Sequence, residues 1–402
     1  MKKLLIVTSG GLPLPATKGG AVETLTDLLI DENENNPHFH FTVLSVYDSQ
    51  AKIESLEKKN TEYIYFRCPE FLKTVSVHIV KVLNKICKKK ICNEVWFLLW
   101  VLKHIKKNRY DVILIENRSM FVMPIVKQNA QKAKLVLHIH NSYLDENTEC
   151  ADKIISNLDM TITVSDFLRK EVLNIPGADK KKVKTLLNGV KTELFDNRAD
   201  IAFRENFRKN NGIGENDVIY VFCGRINPNK GVKELIRAFD QINDEHTYLL
   251  IIGATWYSST SCGEYLEEVK KNAEHCKNHI LFTGYVEHSL IAKYYSVADV
   301  AVIPSLWNEP AGLVITETLL SGLPLITTNK GGIPEYANNT NAVCIDVTDN
   351  FVDDLALQME NLKDPDLRKK MKCGAHEFAS AYNEKVYFKE FEKIIESVSI
   401  KE

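Results

Sequence analysis

Short apolar runs alternate with longer amphipathic stretches along most of this chain. Runs at residues 4–9, 41–46, 63–66, 112–116, 135–140 and 161–164 read as strands. Helical periodicity covers 20–31, 94–107 and 166–173, with Ser165 standing where an N-cap belongs. The pattern then restarts. Strands are predicted at 218–223, 248–252, 280–283, 300–304, 325–328 and 342–345, with helices at 230–242, 264–277, 289–296 and 313–320 and more helices to finish. Continuous apolar strands separated by helices predict parallel α/β sheets with both faces covered. The restart falls between Asn188 and Asp217, where Asn188-Gly189-Val190 is followed by a charged, Asn-rich stretch at 197–216. A domain boundary is expected there. The division is 1–187, 188–380, and a terminal helix at 381–402 packing back on the first domain.

Composition narrows the classes. The 402 residues are 45% hydrophobic and 26% charged, with a formal net charge of −2, so nothing global marks a nucleic-acid binder. The nine cysteines form no CxxC pair and read as reduced thiols of a cytosolic protein. The opening Met-Lys-Lys-Leu-Leu-Ile-Val-Thr-Ser-Gly is too short in apolar residues for a signal peptide and reads as a first buried strand. No run approaches the roughly 18 apolar residues of a membrane span. Any membrane contact is therefore expected to be peripheral, at the inner face of the cell membrane.

Ligands of open parallel sheets bind beyond the carboxyl ends of the strands. Gly10, His140, Gly224, Gly253, Gly284 and Pro304 fall there, and two facing domains are expected to line one cleft with them. In Glu309-Pro-Ala-Gly-Leu-Val-Ile-Thr-Glu317, Gly312 opens a helix, so the amides of Ala311, Gly312 and Leu313 suit an anion. Glu309 precedes the helix and Glu317 lies a turn inside it, a spacing that suits hydroxyls on two rings better than one metal. Spacing alone leaves surface charges an equal alternative. Arg225 and Lys230, in Gly224-Arg-Ile-Asn-Pro-Asn-Lys-Gly231, suit a diphosphate, although two solvated cations on a turn would look the same. Gly19 and Gly20 stand at a helix start without GxGxxG or Walker spacing. His138 and His140 share one strand face, with His140 nearer the end, and no third residue has metal-ligand spacing. Finally, residues 73–107 set lysines beside Val95-Trp-Phe-Leu-Leu-Trp100. That pattern fits either a helix touching anionic lipid or an amphipathic helix with a solvated basic rim.

Together these motifs resemble the retaining glycosyltransferases of family 4, from residue 1 to about 385. The most specific part is Glu309-x7-Glu317, followed by Ser321-Gly-Leu-Pro324 and Gly331-Gly-Ile-Pro-Glu335. The family's fold is GT-B, two Rossmann-like parallel-sheet domains facing a central cleft. The resemblance implies roles for individual residues. Arg225 and Lys230 match the diphosphate pair, Gly19 and Gly20 the glycine loop of the first domain, and His140-Asn141 the histidine near the reacting anomeric carbon. Glu309 and the amides of Ala311 to Leu313 would hold donor sugar hydroxyls and phosphate, and Glu317 the ribose. Phe282-Thr-Gly-Tyr-Val286 resembles the segment that holds the base, with Val286 in contact through its backbone. Ile115-Glu-Asn-Arg118 and His140-Asn141 look like surface-polysaccharide or spore-coat members. The implied donor is a nucleotide-diphosphate sugar, UDP by the frequency of that nucleotide in such families. The implied acceptor is a glycan or lipid-linked glycan, and transfer needs neither cofactor nor metal. One departure is Gly253-Ala-Thr-Trp256, where the family often has Gly-x-Gly. A non-catalytic accessory subunit is the main rival, but it would be expected to have lost Glu309, Arg225 or Lys230. A nucleotide-sugar epimerase of the same fold is the other, and the paired glutamates favour transfer over it.

Overall fold

A computed structural model describes residues 1–67, 94–129, 131–195, 200–242, 244–254, 263–337 and 340–399. The chain divides into two compact units, Met1–Leu187 with Tyr387–Glu402, and Asn188–Val386.

The first unit is built on a seven-stranded sheet in the order β3-β2-β1-β4-β5-β6-β7. The strands are β1 (Lys2–Val7), β2 (Phe39–Val46), β3 (Thr61–Phe66), β4 (Val112–Glu116), β5 (Lys134–Ile139), β6 (Met160–Thr163) and β7 (Val183–Thr185). Every pairing in it is parallel. Helices cover both faces, so strands such as Leu4 to Val7 are apolar at every position and fully buried. Ser165 caps the helix Asp166–Leu173 by accepting from the Leu168 amide. At the other end of the chain, Phe388 and Phe391 meet the Phe39 ring edge to face, at 6.4 and 6.2 Å between centroids. His38 pairs with Glu392 beside them. Each buried Phe contributes about 1.5–3 kcal/mol, enough to fasten this helical segment to its sheet.

The second unit carries six parallel strands in the order β10-β9-β8-β11-β12-β13. They are β8 (Val218–Cys223), β9 (Thr247–Ile252), β10 (His279–Gly284), β11 (Val300–Ile303), β12 (Leu325–Thr328) and β13 (Ala342–Ile345). Both sheets are doubly wound α/β. Their order reverses between β1 and β4 in one unit and between β8 and β11 in the other, which are the places where such sheets leave a crevice.

The hydrophobic pattern located the strands and the long helices to within a few residues. It missed the helices Ser119–Gln128, Ala151–Ser156 and Ile201–Asn210 and the strand β7. Pro124 interrupts the first of these. The third lies in the polar stretch where the domain boundary is expected. Its helix carries only two apolar anchors one turn apart, Phe203 and Phe207, which pack on Tyr294. Arg204 and Arg208 hold the two oxygens of Asp299 at 2.8 and 2.9 Å, so charge rather than apolar area fixes this helix. Among the described residues, no helix is long and apolar enough to cross a membrane.

Candidate functional site

In the second unit, the functional candidates gather around the β8/β11 switch. β8 ends at Cys223, and Gly224 and Arg225 follow at once. Burial raises the Cys223 thiol to about 12, which removes it as a nucleophile. Lys230 ends a short 3-10 turn that Asn227 caps, and its ammonium pairs with Glu309 Oε1. Ser305, two residues beyond β11, donates to that same oxygen at 2.8 Å. The sequence reading gave Lys230 to a diphosphate and Glu309 to sugar hydroxyls and phosphate, and the structure adds that the two side chains touch. Any anion that takes Lys230 must therefore share it with a carboxylate.

Two glycines allow this close packing. Gly231 has φ +68°, and a Cβ there would lie 2.1 Å from the Pro304 carbonyl oxygen. Gly331 has φ +59°, and a Cβ there would lie 2.3 Å from the Glu309 carbonyl oxygen, which accepts the Gly332 amide at 2.7 Å. The loop bearing Glu309 is thus clamped between two backbone turns.

Gly312 is the N-cap of the helix Leu313–Leu320, with no side chain capping it. The Ile315 amide already bonds the Gly312 carbonyl, which leaves the amides of Leu313 and Val314 at the helix start, and Ala311 and Gly312 lie partly exposed just before them. Glu317 is buried on this helix and receives His288 Nε2 at 2.7 Å on its Oε1. The sequence reading did not include His288. Val286 lies two residues earlier, past the irregular end of β10 at Gly284. Arg225 is exposed. Of the departure after β9, Gly253 and Ala254 are described, and Trp256 lies outside the described residues.

The first unit gathers a separate set at its own switch. Gly20 (φ +103°) is the N-cap of the helix Ala21–Asn35, with Gly19 just before it. The Glu23 carboxyl folds back to this helix start, where a Cβ on Gly20 would meet its Oε2 at 2.4 Å. Burial raises the Glu23 pKa. The helix start that the glycine pair would offer to a phosphate is held by this carboxyl, which also accepts from Ser9 Oγ at 3.2 Å.

His140 stands just past β5 with its side chain buried. Its amide donates to Asn117 Oδ1, and its Nε2 lies 3.0 Å from Glu116 Oε2. An ionised carboxylate only accepts, so His140 carries its proton on Nε2. His138 Nδ1 approaches the same oxygen at 3.2 Å. Strand pairing sets Glu116 opposite His138, which gives the two histidines the third group that local spacing did not show. The ligating atoms of Glu116, His138 and His140 lie within 4.8 Å of one another, a donor set that could hold a metal ion. Burial pushes Glu116 up, but the neighbouring His138 ring and the hydrogen bond from His140 outweigh it and hold the carboxyl below its ordinary range. Burial, then His138, depress His140.

Of the basic stretch, residues 73–93 lie outside the described residues. The rest forms the helix Val95–Lys107. Phe97, Val101 and Ile105 face inward, while Trp96 and Leu99 are 43% and 51% exposed and lie in line with exposed Lys103 and Lys106.

Comparison with known proteins agrees with this geometry. The family model described as Glycosyltransferase Family 4 matches residues 54–194, and that described as Glycosyl transferases group 1 matches 203–378. Between them the two glycosyltransferase models match most of the chain, family 4 in its first part and group 1 in its second. It is 27% identical over 345 residues to YtcC of Bacillus subtilis, covering 84% of this chain and 77% of YtcC. It is 26% identical to spore coat protein SA of the same organism, covering 83% and 82%. Among solved structures, Anabaena HepE in complex with UDP and glucose superposes with a TM-score of 0.73 at 17% identity, over 99% of this chain and 100% of that one. The fold is GT-B, and the activity class is that of a glycosyltransferase.

The buried cluster gives a pH prediction. An unfolded imidazole takes up a proton near its ordinary 6.5, whereas native His140 resists it. The unfolded state therefore binds more protons just below that pH, and stability falls as pH falls. Glu116, depressed from 4.5, adds to the loss at still lower pH. The wild-type melting temperature should drop on acidification more steeply than that of His140→Asn. Parallel pH profiles for the two proteins would contradict this.

Proposed function

We propose that the protein is a retaining glycosyltransferase that moves a hexose or N-acetylhexosamine from a UDP-sugar to a glycan or lipid-linked acceptor of a surface polysaccharide. The observation that carries this is the second-unit constellation. A clamped Glu309 against Lys230, open helix-start amides at Gly312, and a buried Glu317 stand together at one topological switch. Glu309 and the amides of Ala311, Gly312 and Leu313 hold the sugar and its phosphate. Glu317 accepts the ribose hydroxyls, and the backbone at Val286 meets the base. Arg225 and Lys230 bear the charge of the departing diphosphate without a metal ion, which is where fixed charges contribute most to rate.

The bond from the anomeric carbon to the diphosphate oxygen breaks, and the electron pair leaves with UDP. The acceptor oxygen bonds to the same face, and its proton passes to the departing phosphate. His140, Gly19 and Gly20 belong to the first unit. The solved neighbour holding UDP and glucose and the spore coat relative support the donor and the surface-glycan setting.

Arg225→Ala or Glu309→Ala should lower transfer by at least about a hundredfold while leaving the far-UV spectrum and the melting transition in place. Near-wild-type turnover in both variants contradicts the assignment. The stripe Trp96–Leu99–Lys103–Lys106 is the part of the basic stretch we assign to anionic lipid. In flotation, the protein should rise with phosphatidylglycerol vesicles but not with phosphatidylcholine ones. Replacing Trp96 and Leu99 by Ser should abolish this, and absence of wild-type binding to either vesicle retires the membrane contact.

A further inference from the structure

Glu317 is a long side chain asked to meet two hydroxyls at once. A free glutamate loses rotamer freedom on doing so, and a carboxylate already fixed loses less. His288 supplies that fixing in this chain. It is the first residue of the helix His288–Val297, and its Nε2 reaches Glu317 Oε1 at 2.7 Å. On its other side the His288 ring meets buried Phe195 edge to face, with centroids 5.8 Å apart. Phe195 in turn lies against Tyr295 of the same helix, at 6.3 Å. The imidazole is therefore held between an aromatic wall and the carboxylate. It also keeps 45% of its side-chain surface exposed, while Glu317 keeps 7%.

The hydrogen bond occupies one lone pair of Oε1. Oε2 and the second lone pair of Oε1 remain as acceptors, and they suit the two donors of a vicinal diol. His288 also lies two residues from Val286 in the same turn after β10. One short segment thus sets both the backbone assigned to the base and the group that orients the carboxylate assigned to the ribose.

We propose that His288 is a positioning residue, whose hydrogen bond to Glu317 presents that carboxylate to the ribose diol and makes the site selective for ribonucleotides over deoxyribonucleotides. The inference rests on Glu317 being the ribose-binding group.

The test is calorimetric titration of the full chain with UDP and with 2′-deoxy-UDP. The wild type should prefer UDP, and Glu317→Ala should lose the preference. His288→Ala should reduce the preference about tenfold, the worth of one charge-assisted hydrogen bond, while binding 2′-deoxy-UDP as the wild type does. His288→Gln, which restores an N–H donor, should recover part of it. If His288→Ala keeps the full preference while Glu317→Ala loses it, the positioning role is wrong and the ribose assignment stands. If Glu317→Ala keeps the preference, the ribose assignment falls first and this proposal with it. Equal weakening of both ligands by His288→Ala would show a merely structural role and also overturn the proposal.

Discussion

The reversal of strand order between β8 and β11 is the constraint on which the rest of the second unit depends. Crossovers leave in opposite directions from these two strands, so no connection covers the ground beyond their carboxyl ends. The chain fills that ground with turns that only glycine tolerates. Gly231 sits against the Pro304 carbonyl and Gly331 against that of Glu309. Once these backbones are in contact, Glu309 has little choice of place. Lys230 and Ser305 meet it because both come off the same two strands. The pair of opposite charges is thereby set before any ligand arrives.

Such an arrangement carries a tension that suits a donor site. Lys230 and Glu309 are largely buried together, so neither is left as an isolated charge. A diphosphate competes with Glu309 for Lys230, and a sugar hydroxyl competes with Lys230 for Glu309. A nucleotide sugar that brings both groups can satisfy both partners at once, whereas a bare phosphate or a bare sugar satisfies only one. On the proposed assignment of these two residues, specificity for the joined molecule follows from the pairing itself. The first unit solves a related problem differently. There the helix start behind Gly20 is closed by Glu23, and the buried rings of His138 and His140 converge on Glu116.

Much of this was legible in the sequence because it is local. Apolar runs of four to eight residues located the strands, and glycines just past them marked the carboxyl end of each sheet. The Glu309 to Glu317 segment reads as a loop and helix start from its own residues, and so it proved. What local reading could not supply were contacts made through the sheet. Glu116 reaches His140 only because β4 lies beside β5. His288 reaches Glu317 only because the turn after β10 is brought over the helix Leu313–Leu320. The helix Ile201–Asn210 escaped for another reason, since two phenylalanines are its only apolar anchors and the Asp299 carboxylate holds its arginines.

The central claim is that the second unit binds the nucleotide part of the donor at its β8/β11 switch. Amide hydrogen exchange of the full chain, with and without saturating UDP, tests this most directly. The account predicts slowed exchange in residues 224–231, 284–288 and 309–317. Unchanged exchange in all three segments, or protection confined to the first unit, would contradict it.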